Sequence, residues 1–333
     1  MHTSNHTHKE GATPSFPFTL NQRYRVEKLF ADSGGMGVIY EAADLRCANN
    51  RVLIKTTRYD SGKDAKHFRY TQDEALSHVI NARKILEWEK KILVRFRDDG
   101  LNNIPNPNNF FYDQSITLKA QHTGIQGEFS LPQDILQSEP FLVMERIQGK
   151  PLEEVMRDRS WRQHLELYLL KMMREILTIW IKMHRKFDLN GQDAYFIYQD
   201  LKPANILVSH NDFFTLIDFG ATTLKLGSKT TEPTAGCITT GYAAPEAQNG
   251  HEAHIDHRFD LYTLGATAWH VITGQDPRNL GQDFPRLDPT LLQKHNISQA
   301  LTHIITKSLA SDPNQRYQHA AAMRKDVMQL LHT

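Results

Sequence analysis

The apolar residues of this chain change their period at about Gly149. Before that point, short runs rich in β-branched and aromatic residues alternate with turn signals, the pattern of half-buried strands. The runs are Tyr24 to Phe30, Val38 to Ala42, Val52 to Thr56, Phe110 to Leu118 and Phe141 to Glu145. One long helical pattern, Asp73 to Phe96, interrupts them. Beyond Gly149, apolar residues recur at helical spacing in 165–183, 259–272 and 300–309. A small strand-rich part followed by a larger helical part predicts an α+β, two-lobed fold. The chain has 333 residues, enough for a sizeable core.

Composition narrows the class. Lys and Arg number 39 against 38 Asp and Glu, so no global field points to nucleic acid or an anionic membrane as partner. The most apolar long segment, Leu165 to Met183, carries Lys171, Arg174, Glu175 and Lys182. It reads as a buried amphipathic helix and not as a membrane span. The opening MHTSNHTHKEGATPS lacks the apolar core of a secretory signal. Residues 1–22 are expected to form a disordered polar tail, in which His2, His6 and His8 offer at most adventitious metal binding. Cys47 and Cys237 lie far apart and make neither a disulfide framework nor a metal spacing, which points to a reducing cytoplasm. His122 to Ser138 reads as a surface insertion between strands, and Asp188 to Ala194 as a second extra piece.

Four clusters carry chemistry. SGGMGVIY, Ser33 to Tyr40, spans a strand–turn–strand whose glycines let backbone amides approach phosphate oxygens. Gly-rich hairpins are common, so this signal alone is weak. VLIK closes an apolar strand with Lys55, whose ammonium needs an anionic partner, either a carboxylate or a phosphate. Glu89 in the long helix can supply a carboxylate, because Ile85, Ile92, Leu93 and Phe96 put it on the apolar face. Glu87 has Arg83, Lys90 and Lys91 at the same offsets and reads as a solvated charge. The third cluster is YQDLKPANILV, with Asp200, Lys202 and Asn205, and the fourth is TLIDFGA, with Asp218 and Gly220. Singly, each acid could be a turn or cap residue. Together, two acids and an amide oxygen suit a hard cation such as Mg²⁺.

With these clusters in this order, the chain resembles the eukaryotic-like Ser/Thr protein kinases of bacteria, from about Tyr24 to Leu331. The kinase signature set stands here as DSGGMG, IK, Glu89, YQDLKPAN, DFG and AAPE. The resemblance implies a β-rich N-lobe with one main helix over 23–147, with an insertion at about 119–139, and an α-rich C-lobe over 148–333. It implies ATP and Mg²⁺ as cofactors and proteins with Ser/Thr acceptors as substrates. Ser33, Gly34, Gly35, Gly37, Ile39 and Lys55 would line the nucleotide site, with Met144 at its back and backbone groups of Glu145 and Ile147 on the base. Lys55, held by Glu89, would pin the α- and β-phosphates, and Asp218 and Asn205 would hold the metal. Asp200 would take the proton of the substrate hydroxyl, Lys202 would neutralise charge on the γ-phosphoryl group, and Thr239 would bridge those two. Asp260 matches the acid that braces the catalytic loop, and Arg316 the arginine that pairs with Glu246 of AAPE.

Three positions depart from the pattern. Asp32 replaces the first glycine and is expected to face solvent. Tyr198 replaces a histidine and is expected to pack against the D-F-G turn. Gln199 replaces the arginine that meets a phosphate on the activation segment, and glutamine makes no charge-assisted bidentate contact. The expectation is a kinase without that phosphate latch, even where Thr222, Thr223, Ser228, Thr230, Thr231 or Thr234 is modified. Regulatory input is expected from a partner, the insertion or self-association. Two alternatives stay open: a pseudokinase or ATP-binding scaffold, opposed by the presence of Lys55, Asp200, Asn205 and Asp218, and a small-molecule kinase, opposed by AAPE, Asp260 and Arg316.

Overall fold

The computed structural model describes residues 15–34, 37–57, 72–116, 121–124, 127–130, 132–227, 229–231, 238–248, 255–281 and 287–332. Gly35, Ser228, Thr234 and Cys237 lie outside these residues, and the side chains of Asp32, Ser33, Thr230 and Thr231 are likewise not described. Internal contacts divide the chain into two compact units, Met1–Arg83 with Asn108–Arg146, and Lys84–Pro107 with Ile147–Thr333. Among the described residues no helix is long and apolar enough to cross a membrane.

The first unit is built on a six-stranded sheet. Its elements are β1 (Phe18–Leu20), β2 (Tyr24–Gly34), β3 (Gly37–Asp44), β4 (Asn50–Thr57), the start of α1 (Gln72–Asp98), β5 (Pro107–Asp113), β6 (Gln121–Gly124), β7 (Gly127–Ser130), α2 (Gln133–Gln137) and β8 (Glu139–Glu145). The sheet order is β1-β2-β3-β4-β8-β5, with β6 and β7 forming a separate hairpin. Alternation along each strand sorts the two faces. Val38, Tyr40 and Ala42 of β3, Val52 and Ile54 of β4, and Phe141 and Val143 of β8 turn into one apolar core with Leu20, Tyr24 and Val26. Phe111 stacks between Tyr24 and Phe141, at 5.6 and 5.4 Å between ring centroids. The opposite face carries Ile39, Lys55 and Leu142 side by side across three strands.

One expectation changes here. Phe18–Leu20 is not part of a disordered tail, because it pairs with β2 as an edge strand. The reason is apolar burial: Phe16 stacks on Phe18 at 5.6 Å, and Phe18 meets Tyr40 edge-on at 6.1 Å. The insertion carries regular structure, the β6–β7 hairpin and α2, and Ser115 N–H donates to Leu136 O at 2.6 Å to tie α2 back to the sheet.

The second unit is largely helical. It comprises the rest of α1, β9 (Lys150–Pro151), α3 (Leu152–Val155), α4 (Arg159–Gln163), α5 (Leu165–Met183), β10 (Phe187–Leu189), β11 (Gln192–Ile197), β12 (Ile206–Val208), β13 (Phe214–Leu216), β14 (Thr223–Leu226), β15 (Lys229–Thr231), α6 (Arg258–Thr273), α7 (Gln299–Ser308) and α8 (Ala320–Leu331). Every residue of α6 from Phe259 to Ile272 is buried, so this helix is the centre of the unit and needs no polar face. Gly265 lets α7 approach it, since a Cβ there would stand 2.9 Å from that of Ser308. The sequence placed all of the long helix in the N-lobe. By contacts, its second half belongs to the second unit. Trp88 donates to Thr222 O at 2.6 Å, and the following Asn103 donates to Glu175 at 2.6 Å and accepts from Leu216 N–H at 3.0 Å.

Candidate active site

The loop after β11 begins with a conformation that only tertiary contacts can hold. Gln199 has φ +71° and Asp218 has φ +62°. Left-handed backbone costs a non-glycine residue about 1–3 kcal/mol, so each must be held from outside. For Gln199 the holder is Asp260, wholly buried on the first turn of α6. Its carboxylate accepts Gln199 N–H at 2.8 Å and Tyr198 N–H at 2.9 Å. His184 Nε2 lies 2.8 Å from the same carboxylate. A carboxylate in this position only accepts, so the imidazole donates from Nε2.

Past that bend, a short 3₁₀ turn, Pro203–Asn205, folds the loop back on itself. Asp200 stands at the centre of a polar network. Lys202 Nζ is 2.8 Å from Asp200 Oδ2 and 2.7 Å from Thr239 Oγ1. Thr239 donates to Asp200 Oδ1 through its hydroxyl, and through its backbone N–H at 3.3 Å. Asn205 spends its amide N–H on Asp200, donating to the backbone oxygen at 2.8 Å and to Oδ2 at 3.0 Å. That turns the Asn205 carbonyl oxygen into its available ligand atom. Thus four of the residues singled out from sequence come together around one carboxylate.

Asp218 sits on the next strand–turn. Its Oδ1 accepts weakly from Gly220 N–H at 3.4 Å. Beside it, Phe219 N–H donates to Glu89 Oε1 at 3.3 Å, and Glu89 is 2 % exposed, so the inward face read from the helical pattern is the one observed. Tyr198 is fully buried, meets Phe219 edge-on at 5.3 Å and donates its hydroxyl to Ile217 O at 2.5 Å. Burial, with Asp218 and Asp200 near, pushes the Tyr198 hydroxyl well above its ordinary pKa, so it stays a donor.

In the first unit, Lys55 stands between Ile39 and Leu142, and Met144 pairs with Leu53 two residues along the same face. Glu145 pairs with Val52 and is exposed. Gly34 faces Gly37 across β2 and β3. A Cβ on Gly37 would lie 2.9 Å from Lys55 Cε and 3.3 Å from Thr56 O. A Gly37→Ala chain is therefore expected to lose little stability, because the flexible lysine yields and the Thr56 carbonyl has only a few tenths of an ångström to give. The displaced ammonium should weaken ATP binding by about tenfold, near the lower end for a charge-assisted contact, as measured by calorimetric titration.

The A-P-E glutamate is anchored as the sequence led us to expect. Arg316 Nη1 and Nη2 each reach a Glu246 carboxylate oxygen at 2.7 Å. Nearby, Tyr242 shares a 2.6 Å hydrogen bond with His270 Nδ1, a pair that sequence patterns did not single out. Burial lowers the pKa of His270, against the opposing pull of Asp276, and burial raises that of Tyr242. The bond joins the tyrosine hydroxyl, which also donates to Asp276 Oδ1 at 3.4 Å, to a neutral imidazole. The folded protein thus binds fewer protons at His270 than the unfolded chain does. This contribution is full above about pH 6.5 and lost as pH falls below it. The urea midpoint should drop between pH 7 and 5.5, and drop less in a His270→Gln chain.

The comparisons with known proteins follow this geometry. A model of the protein kinase domain matches residues 33–328. Serine/threonine-protein kinase PknB of Mycolicibacterium smegmatis is 25% identical over 325 residues, covering 94% of this chain and 44% of that protein. A probable serine/threonine-protein kinase, SCO3848 of Streptomyces coelicolor, is 26% identical over 323 residues, covering 93% of this chain and 40% of that protein. The chain spans less than half the length of these curated relatives. Among solved structures, the PpkA-294 apo form matches with a TM-score of 0.63 at 15% identity, covering 97% of this chain and 100% of that one, a likeness of fold. Since the matched residues take in most of the sequence, the chain belongs to the protein kinase domain family.

Proposed function

We propose that this chain transfers the γ-phosphate of ATP to serine and threonine hydroxyls of protein substrates. The observation that carries the reading is the Asp200 carboxylate, held by Lys202, Thr239 and Asn205 in one network. The oxygen of the substrate hydroxyl attacks the γ-phosphorus, and its proton passes to Asp200. The bond from the γ-phosphorus to the β,γ-bridging oxygen breaks, and ADP leaves. Lys202, already paired to Asp200, offers its ammonium to the charge spread over the γ-phosphoryl oxygens. Lys55 would hold the α- and β-phosphates.

A divalent metal fits the donor set. The Asn205 carbonyl oxygen and the Asp218 carboxylate are hard ligands, and a Mg²⁺ ion would complete its shell with phosphate oxygens and water. When bound, the ion supplies charge neutralisation on the nucleotide phosphates. The nucleotide itself would rest on Gly34, Gly37 and Ile39, with Met144, Glu145 and Ile147 at the base. The two widely spaced cysteines favour the cytoplasm. Gln199 favours activity without a phosphate on the activation segment.

The test is incubation with labelled ATP and Mg²⁺, alone and with a generic basic protein, beside an Asp200→Ala chain. Label on serine and threonine that disappears in the variant supports the reading. Nucleotide binding without transfer would replace it with an ATP-binding scaffold that regulates a partner. Transfer to a small molecule alone would overturn the protein-substrate class.

A further inference from the structure

The extra piece Asp188 to Ala194, with Phe187 before it and Tyr195 to Ile197 after it, forms two of the four strands of one sheet. β10 and β11 pair across Asn190 and Gly191, at φ +54° and +79°, the left-handed pair of a type I′ turn. β11 then runs antiparallel along β14, with Ala194 opposite Leu226, Tyr195 opposite Lys225, Phe196 opposite Leu224 and Ile197 opposite Thr223. β14 is the stretch of chain that leads out of the D-F-G turn. On its other side β15 folds back across Gly227, φ +56°, to pair with it. Gly227 N–H also donates to Asp193 O at 3.0 Å. The chain after Asp218 therefore has a backbone ladder on both sides, made without any modified side chain.

The hairpin also reaches the catalytic loop through its rings. Arg95 caps Phe187 at 4.9 Å, and Phe187 stacks on Phe196 at 5.5 Å. Phe96 of α1 meets Phe196 at 5.2 Å and Phe219 at 5.9 Å, and Phe219 meets Tyr198 at 5.3 Å. Five rings thus run in unbroken contact from β10 to the residue two before Asp200. The rings give a continuous path from Phe187 and Phe196 to Phe219, the neighbour of Asp218.

We infer that the β10–β11 hairpin is the built-in support of the activation segment, with Phe187 and Phe196 acting as positioning residues for Phe219 and Asp218. It does by backbone pairing and ring packing what Gln199 cannot do through a phosphate. The inference rests on the kinase reading for its effect on rate, but its structural half can be judged separately.

The experiment uses phosphatase-treated protein, with its mass checked for absence of phosphate, as wild type, Phe187→Ala and Phe187→Leu. Amide hydrogen exchange at Thr223–Leu226 and turnover with Mg²⁺-ATP are measured on each. Wild-type amides should exchange at least about a hundredfold slower than an unstructured peptide. Phe187→Ala should speed their exchange and lower kcat about tenfold, while Phe187→Leu recovers most of both. Unprotected β14 amides in the phosphate-free wild type would overturn the inference. So would a Phe187→Ala chain with loosened β14 amides and undiminished kcat, or one in which β14 exchange is unaltered. Should Phe187→Ala unfold the whole chain, Gly191→Val takes its place, since that turn has open space around it and only its positive φ is strained. If no form transfers phosphate, the kinase reading fails, and the exchange data alone decide whether the hairpin supports β14.

Discussion

Asp200→Ala is expected to lower phosphotransfer by about 10²–10⁴-fold, the range that a positioned general base contributes, and to leave nucleotide affinity nearly unchanged. The separation follows from what surrounds the carboxylate. Lys202, Thr239 and Asn205 all spend donors on Asp200, and Asp200 is the acceptor that gathers them. Removing it takes away the proton acceptor and also releases the Lys202 ammonium from its fixed place. The groups assigned to the nucleotide, Lys55 and the glycines of β2 and β3, belong to the other unit's sheet and keep their register. Asp200→Asn is the sharper comparison. It keeps the size of the side chain, but it cannot take a proton and turns an amide N–H toward groups that themselves donate, so its kcat should fall as far. Single-turnover rates beside calorimetric ATP titrations decide the matter. An Asp200→Asn chain with near-normal kcat would remove Asp200 from the role of base, and a matching loss of ATP affinity would recast it as a binding residue.

Arg316→Ala is expected to cost about 3–5 kcal/mol of stability, the range seen when one partner of a buried ion pair is removed. The guanidinium is fully buried and has a partner at every nitrogen. Nε donates to Ala310 O at 2.8 Å, Nη1 to Glu246 and to Arg258 O at 3.3 Å, and Nη2 to Glu246 and to Ser311 O at 3.1 Å. Its face lies 4.9 Å from the Tyr262 ring centroid. Alanine would leave Glu246, whose side chain is 12% exposed, and three backbone carbonyls without their partner. At about 2–4 °C per kcal/mol for a unit of this size, the melting temperature should fall by roughly 10 °C. Arg316→Lys should recover less than half of that, because an ammonium cannot fill a planar five-donor site. Pairing Arg316→Met with Glu246→Leu should restore more than lysine does, since it removes both buried charges together. A melting point within about 2 °C of wild type in Arg316→Ala would show that the pair adds little net stability.

Much of the candidate site could be read before any tertiary structure was known, because it is written in local patterns. Glu89 was preferred over Glu87 from the apolar residues three and four positions away. It is the buried one, and Glu87 is not. Lys55 follows the apolar run Val52 to Ile54 within β4, and its alternation with Ile54 and Thr56 places it on the face away from the aromatic core. Tyr198 was assigned a packing role from its aromatic character, and it meets Phe219. The β10–β11 hairpin was missed although Asn190-Gly191 is a strong short-range hairpin signal. Only half of such a hairpin's pairing is local: its long edge lies on β14, some thirty residues on, with Ile197 opposite Thr223. The strand β1 was missed because its three residues are short for a strand signal. What holds them is the ring of Tyr40, supplied by a different strand.

The amino-acid sequence by itself determined the two-part fold, the order of the catalytic clusters and the inward faces of α1 and β4. Period and spacing act over three or four residues and need no partner. Only the tertiary structure decided the left-handed turns at Gln199 and Asp218, the Tyr242–His270 bond and the two-sided ladder around β14. Each of these is a state that a short segment does not favour alone. Gln199 bends as it does because Asp260, sixty-one residues later, accepts its N–H. Strand β14 is held because an unrelated hairpin offers it an edge.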